Sequence, residues 1–546
     1  MKQKRWLVST LCLIMTGSLC ACGGGGTTAP SSEAGGETTT AAETTAAGTT
    51  ELAEGGKYIC SDTPLTLTAH IHWNDTIVLN DSMIIPKEAE RFTNITLQGV
   101  ASEMDTDSAQ AFNLMITGKT LPDLVGGQRT DINKYGVEGA FIPLNDLIEE
   151  YAPDIKAILD ENPDIKGAIT AEDGNIYQIP FIYESQISEA WFIRQDWLDA
   201  VGMEVPTTVD ELHDVLVAFV ENDANGNGVK DEIGFFMRQS SLDNRMTPLL
   251  ALFGVSDYWH VDDNGTVSIG TYSQEYKDAI KNISQWYSEG LIDPEIFTRD
   301  SNVREMLFSE NNGGVTHDWV ASTSGYNKSM AETVPGFHLV GMLPPADING
   351  DQWEASSRDR LTGSGWAISV DNEHPEESMK YMNFWFTEAG RRLSTYGVEG
   401  VTYNMVDGEP VYTDDILNST EAINGQIMKM GGMIEDIAYL HDDSYESFAM
   451  DEEGSKLMDA YKESGVVGKK YPKVPALSFT TEENDLIVSK YPACRSYMLE
   501  QLQKWTFDGT NIDSEFDGYM QTLSDMGMDE IVEAYQNAYD RLMQQN

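Results

Sequence analysis

From Leu65 to His72 apolar and polar residues alternate with the period of two that a half-buried strand requires. The spacing then changes: Pro86 to Phe92 predicts a helix opened by proline, Ile95 to Val100 a second strand, Ser108 to Thr117 a helix, and Leu121 to Gly126 a third strand. Strands separated by helices predict a parallel sheet covered on both faces. The alternation returns at Ala190-Trp191-Phe192-Ile193, before a helix whose start is marked by Pro206 and the capping box Thr208-Val209-Asp210-Glu211. Two α/β lobes are expected. From Met428 onward the pattern is mostly helical, with amphipathic stretches at Asp485 to Lys504, broken or kinked at Pro492, and at Asp529 to Met543.

The first residues follow a different logic. Lys2, Lys4 and Arg5 precede an apolar run from Trp6 to Leu19 that is too short for the roughly 20 residues of a membrane span, which predicts a secretory signal. Its ending, Leu19-Cys20-Ala21-Cys22, resembles the lipobox of bacterial lipoproteins, and the resemblance implies a signal peptide over 1–21 and a lipid on Cys22. Residues 22–57 are almost wholly Gly, Ser, Thr, Ala and Glu, a composition that buries no apolar surface and predicts a disordered stalk. As a flexible coil it would hold the folded part roughly 30 Å from the membrane. The expected location is the extracellular face of a bacterial cell membrane.

The formal charge of −54, more negative still once the signal is removed, repels nucleic acid and anionic headgroups. Of five cysteines only Cys60 and Cys494 fall in the folded part, which excludes a disulfide scaffold and leaves open one bridge or two buried thiols.

The order of segments resembles the extracellular sugar-binding proteins of ABC importers, in particular a long lipoprotein branch. The matching pieces are Pro122-Asp123-Leu124-Val125, Gly139-Ala140-Phe141-Ile142-Pro143-Leu144, Trp191-Phe192-Ile193-Arg194-Gln195-Asp196-Trp197-Leu198, and Val205-Pro206-Thr207-Thr208-Val209-Asp210-Glu211-Leu212. Gly314-Val315-Thr316-His317-Asp318-Trp319 and Gly365-Trp366-Ala367-Ile368-Ser369 continue the match. The resemblance implies a two-lobed periplasmic-binding-protein-like α/β fold whose cleft shuts by hinge bending. Lobe 1 is expected at 58–192 plus 365–430 and lobe 2 at 193–362, with a helical region at 431–546 completing them. Crossovers are expected near Ile193-Arg194 and Thr362-Gly365.

The sharpest local motif is Asp223-Ala224-Asn225-Gly226-Asn227-Gly228-Val229-Lys230-Asp231-Glu232. Oxygen donors at alternate positions wrap a hard cation, and Gly228 stands where an EF-hand loop turns sharply. Gly234 occupies the twelfth position in place of glutamate, so the expected calcium ligands are Asp223, Asn225, Asn227, the Val229 carbonyl, Asp231 and Glu232, in a structural role. The same kind of loop recurs in the family that the chain resembles.

A sugar presents C–H faces that stack on aromatic rings and hydroxyls that bind carboxylates or arginine. The resemblance places the stacking aromatic at Trp319, with Asp318 beside it as a hydroxyl acceptor. Trp73, Arg129, Glu184 and Trp366 are further cleft candidates, whereas Trp197, Trp286 and Trp385 sit in helical patterns and read as core. His70 and His72 alternate on one strand without an evident third metal ligand.

No zinc-protease helix, nucleophile elbow or phosphate-binding loop is present. The expectation is a monomeric, lipid-anchored receptor that captures an oligosaccharide between two lobes and delivers it to a membrane permease without catalysis. The alternatives are a surface polysaccharide-degrading enzyme, or a receptor for a peptide or another polar solute.

Overall fold

The computed structural model describes residues 56–118, 120–238, 246–419 and 421–545. The expected signal peptide, Cys22 and nearly all of the stalk lie outside these residues. Ten strands build two main sheets: β1 (Leu65–His70), β2 (Ile95–Gly99), β3 (Leu124–Gln128), β4 (Ile179–Tyr183), β5 (Glu189–Arg194), β6 (Ile233–Phe236), β7 (Gly313–Trp319), β8 (Leu339–Met342), β9 (Leu361–Ile368) and β10 (Leu440–His441).

Lobe 1 carries the order β10-β4-β9-β3-β1-β2. Strand β1 pairs in parallel with β2 and β3, and β9 runs antiparallel to both β3 and β4. The alternation of β1 puts Leu67 and Ala69 into the core, and the strand ends at His70, two residues short of the expected end. His72–Trp73 instead forms a short hairpin with Ile77–Val78. Lobe 2 carries the order β8-β5-β7-β6, with β5 antiparallel to β7 and β8 and β7 parallel to β6.

Helix α1 (Val209–Glu221) starts where the sequence places it, and Thr208 accepts from the Glu211 N–H. The reciprocal half of the capping box is shifted by one residue, since Glu211 binds the backbone and hydroxyl of Thr207. Helix α2 (Glu452–Ser464) follows lobe 1's last strand and packs on lobe 2. Helix α3 (Thr481–Phe507) is one continuous helix through Pro492, which corrects the expected break there. Its Cys494, Met498, Leu502 and Trp505 bury into the lobe 2 core, as do residues of α4 (Ile512–Asp525) and the start of α5 (Met528–Gln545).

The hydrophobic cores correct the expected boundaries. Tyr183 packs with lobe 1 and Ile187 with lobe 2, so the first crossover is Glu184 to Gln186; Ile193 and Arg194 lie within the lobe 2 sheet. The second runs between β8 and β9, so Thr362 to Gly365 is strand and not hinge. Gly365 serves close packing, because a Cβ there would meet the Ile179 carbonyl at 2.3 Å. A third crossover, at Phe448 to Met450, was not read from the sequence: residues up to Phe448 pack on lobe 1 and Met450 on lobe 2.

Candidate functional site

Parallel strands leave their carboxyl ends at the rim of a sheet, where α/β folds bind ligands. In lobe 1 these ends are His70 and Gln128, and between them lies a cavity of about 420 Å³, open to solvent and lined by His70, His72, Trp73, Gln128, Asp131 and Asp436. Glycine makes room for it. A Cβ on Gly126 would strike the Asp436 side chain at 2.7 Å, and one on Gly127 the Phe112 ring at 2.8 Å.

The cavity is polar, and burial disfavours charge on several of its groups. Burial, and then the neighbouring His72, lower the pKa of His70 and keep it neutral. Its Nδ1 and both ring nitrogens of His72 have no partner among the described residues. Burial pushes Asp436 up to about 8 against the opposing bond from the Ser364 hydroxyl, and burial also raises Asp131. At neutral pH the buried Asp436 is therefore mostly a carboxylic acid that both donates and accepts hydrogen bonds. Among the described residues no group of three His, Cys, Asp or Glu side chains gathers as a metal site.

In lobe 2 the carboxyl end of β7 presents Trp319, 39% exposed, and no other tryptophan among the described residues is exposed. Asp318 beside it is buried and already engaged. Arg238 donates to its two oxygens at 3.1 and 2.8 Å, Arg304 lies at 3.3 Å, and the Trp319 N–H donates to it at 2.7 Å. The expected role of Asp318 as a hydroxyl acceptor is thus corrected: its carboxylate holds the strand end that carries the ring.

Between the lobes stands Arg358, on the second crossover, its guanidinium carbon 4.7 Å from the Tyr183 ring centroid and 5.5 Å from that of Trp319. Tyr183 in turn reaches Glu435 at 3.5 Å, the residue before Asp436. Trp319, Arg358, Tyr183, Glu435 and the Asp436 cavity therefore form one continuous line across the interlobe cleft. Burial raises the pKa of Glu435 and of Glu189 at the foot of β5.

The other candidates separate. Trp73 lines the lobe 1 cavity. Glu184 is exposed on the first crossover and pairs with Arg391 at 2.5 Å. Arg129 opens the helix Arg129–Val137 and faces a different cavity, about 560 Å³, walled by Leu477 to Asp485. Its Nη1 has no partner among the described residues, Nη2 reaches the Leu477 carbonyl only at 3.5 Å, and burial lowers its pKa to about 10. Trp366 is fully buried in the central strand of the lobe 1 sheet and packs near Tyr381, so it belongs to the core and not to the cleft. Trp197, Trp286 and Trp385 are core, as their helical spacing predicts.

The loop after α1 closes on itself. Gly226 and Gly228 take φ of +70° and +78°, the Gly228 N–H donates to Asp223, and the Asn225 and Asn227 amides donate to Asp231. Glu232 is nearly buried, and its Oε2 has no partner among the described residues. A glutamate at position 234 is excluded, since a Cβ there would meet the Leu291 carbonyl at 2.7 Å. An all-oxygen donor set with one orphaned buried carboxylate oxygen fits a hard cation such as calcium.

Arg358, Tyr183, Glu435 and Asp436 escaped the sequence reading because no local spacing marks them. They meet only through contacts between distant segments.

Residues 81–392, more than half of the chain, match the bacterial extracellular solute-binding protein family. The chain belongs to that family. The fructooligosaccharide ABC transporter substrate-binding protein FusA of Streptococcus pneumoniae is 28% identical over 490 residues, covering 85% of this chain and 87% of FusA. The crystal structure of the alginate-binding protein AlgQ2 without calcium ion superposes with a TM-score of 0.73 at 37% identity, covering 89% of this chain and 99% of AlgQ2. A structure of the FusA EF-hand mutant in complex with fructo-nystose gives 0.66 at 24% identity, covering 89% and 100%. The architecture is that of a two-lobed periplasmic-binding-protein-like fold with a helical C-terminal region.

Proposed function

We propose that this member of the solute-binding family is a lipid-anchored extracellular receptor that takes up an oligosaccharide, intact, between its lobes and delivers it to an ABC transporter permease. The observation that carries this reading is the line from the exposed Trp319 ring to the hydrogen-bonding cavity of His70, His72 and Asp436. It pairs a stacking surface with donors and acceptors suited to hydroxyls. Trp319 and Trp73 stack on sugar faces, while Gln128, Asp131 and Asp436 bind hydroxyls. Sugars in the relatives' own names, fructooligosaccharide for FusA and alginate for AlgQ2, support the class of ligand. Arg129 and Glu184 enter only as outer contacts of a longer chain.

Cys22 carries the lipid, and the protein acts as a monomer. Calcium sits in the loop on Asp223, Asn225, Asn227, the Val229 carbonyl, Asp231 and Glu232, where it joins α1 to β6 and supplies rigidity. No bond is made or broken in the ligand.

Open and shut forms are in equilibrium, and a ligand that contacts both lobes favours the shut form, whose surface the permease recognises. The test is a thermal-shift screen against fructo-, alginate- and pectin-derived oligosaccharides and a peptide panel, followed by chromatography of the bound sugar. A saccharide that raises the midpoint and is recovered uncleaved supports the reading. A shift only with peptides, or shortened products accumulating with time, overturns it.

A further inference from the structure

Among the described residues three chain segments connect the lobes, and one residue, Arg358, stands on one of them and bonds to residues on or beside the other two. The Arg358 backbone N–H donates to the Gln186 carbonyl at 2.8 Å, on the first crossover. Arg358 itself stands on the second. Its Nη1 donates to Asp443 at 2.5 Å and its Nη2 to Glu446 at 2.6 Å, on the segment leading to the third. Asp443 closes the circuit by accepting the Ser185 N–H at 2.9 Å. The Arg358 side chain is 8% exposed, and its guanidinium lies against the rings of both Tyr183 of lobe 1 and Trp319 of lobe 2.

We propose that Arg358 is the positioning residue of the receptor, holding the Trp319 ring against the hinge so that presentation of the ring and rotation of the lobes are one movement. The planar fork of arginine suits this role. It binds two carboxylates through its edge while its planar face stays available for a ring, which a lysine ammonium cannot do. A cation held between two half-buried carboxylates is also retained only in a fixed geometry, because displacing it leaves charges unpaired. The proposal rests on the two-lobed receptor reading but on no particular ligand.

The test uses the full chain without saccharide. Hydrogen exchange is followed over residues 184–188, 355–360 and 442–449 in wild type, Arg358→Lys and Arg358→Met. Acrylamide quenching of Trp319 is taken as the difference between each protein and its Trp319→Phe counterpart. Exchange in all three segments is expected to rise at least tenfold in Arg358→Met, with the β1 to β3 core unchanged and Arg358→Lys rescuing only partly. The Trp319 quenching constant should about double. Glu446→Gln, which keeps the guanidinium, should give the same three-segment pattern at smaller amplitude should Arg358→Met not fold. Faster exchange confined to 355–360, or quenching of Trp319 equal to wild type, overturns the proposal. Since no sugar enters, a failed ligand screen leaves this result standing, and an unaltered exchange pattern leaves the carbohydrate reading standing.

Discussion

Arg238 and Asp318 form a two-point ion pair, with Nε and Nη2 at 3.1 and 2.8 Å from the carboxylate, at the very end of the strand that carries Trp319. The pair is anchored on a buried carboxylate, whereas the ring next to it is exposed. Neighbouring residues thus stand in opposite settings: Asp318 is tied into the fold, and Trp319 leaves its ring open to the cleft.

Substitution separates these roles. Trp319→Ala should weaken saccharide binding at least tenfold, about 1.4 kcal/mol, while changing stability by less than about 1 kcal/mol. Asp318→Ala strips a buried partner from two arginines and should cost about 3 to 5 kcal/mol of stability. Calorimetric titration beside thermal melts checks both. A large stability loss in Trp319→Ala with normal binding would assign the ring to the core.

Asp436 makes the molecule pH-sensitive in a defined direction. Burial lifts its pKa from 3.8 to about 8 in the fold, so the folded state favours the protonated form. Its influence is absent below about pH 4, where the carboxyl is protonated in folded and unfolded chains alike, and becomes increasingly destabilising as pH rises toward 8. Asp436→Asn, neutral throughout, should match wild type near pH 4 and exceed it at pH 8 by on the order of a few kcal/mol. Denaturant melts at several pH values give this difference, and parallel curves for the two proteins would contradict it.

The oxygen-lined loop predicts a calcium response. Calcium at a hundredfold excess over its dissociation constant should stabilise the native chain by about 2.7 kcal/mol, and chelator should reverse the effect. Asp223→Ala with Asp231→Ala should remove the response. A wild-type melting temperature indifferent to chelator would refute the site.

Cys60 and Cys494 lie in the cores of different lobes, so no bridge joins them. Burial pushes the Cys60 thiol up to about 12 and raises that of Cys494. Neither should react with a thiol reagent until the protein is unfolded, when both should react at once. Labelling of either in the native protein would show an opened core.

The features that can be read along the chain are those that neighbouring residues decide together. The alternation in Leu65 to His70, the Thr208 cap of α1 and the donor spacing from Asp223 to Glu232 each act within a few residues, through backbone hydrogen bonds and side-chain reach. The strand that ends at Trp319 was legible for a related reason, since the order of its segment matches a known family. The tertiary structure alone decided how these pieces meet. Arg358 finds Asp443 across 85 residues, and Asp436 reaches Gly126 from a segment that periodicity assigned to a helical tail. It also moved Trp366 into the core and engaged Asp318 with two arginines. Burial, and with it every shifted pKa in the cleft, depends on which distant segments cover a side chain. Local spacing carries no record of that covering.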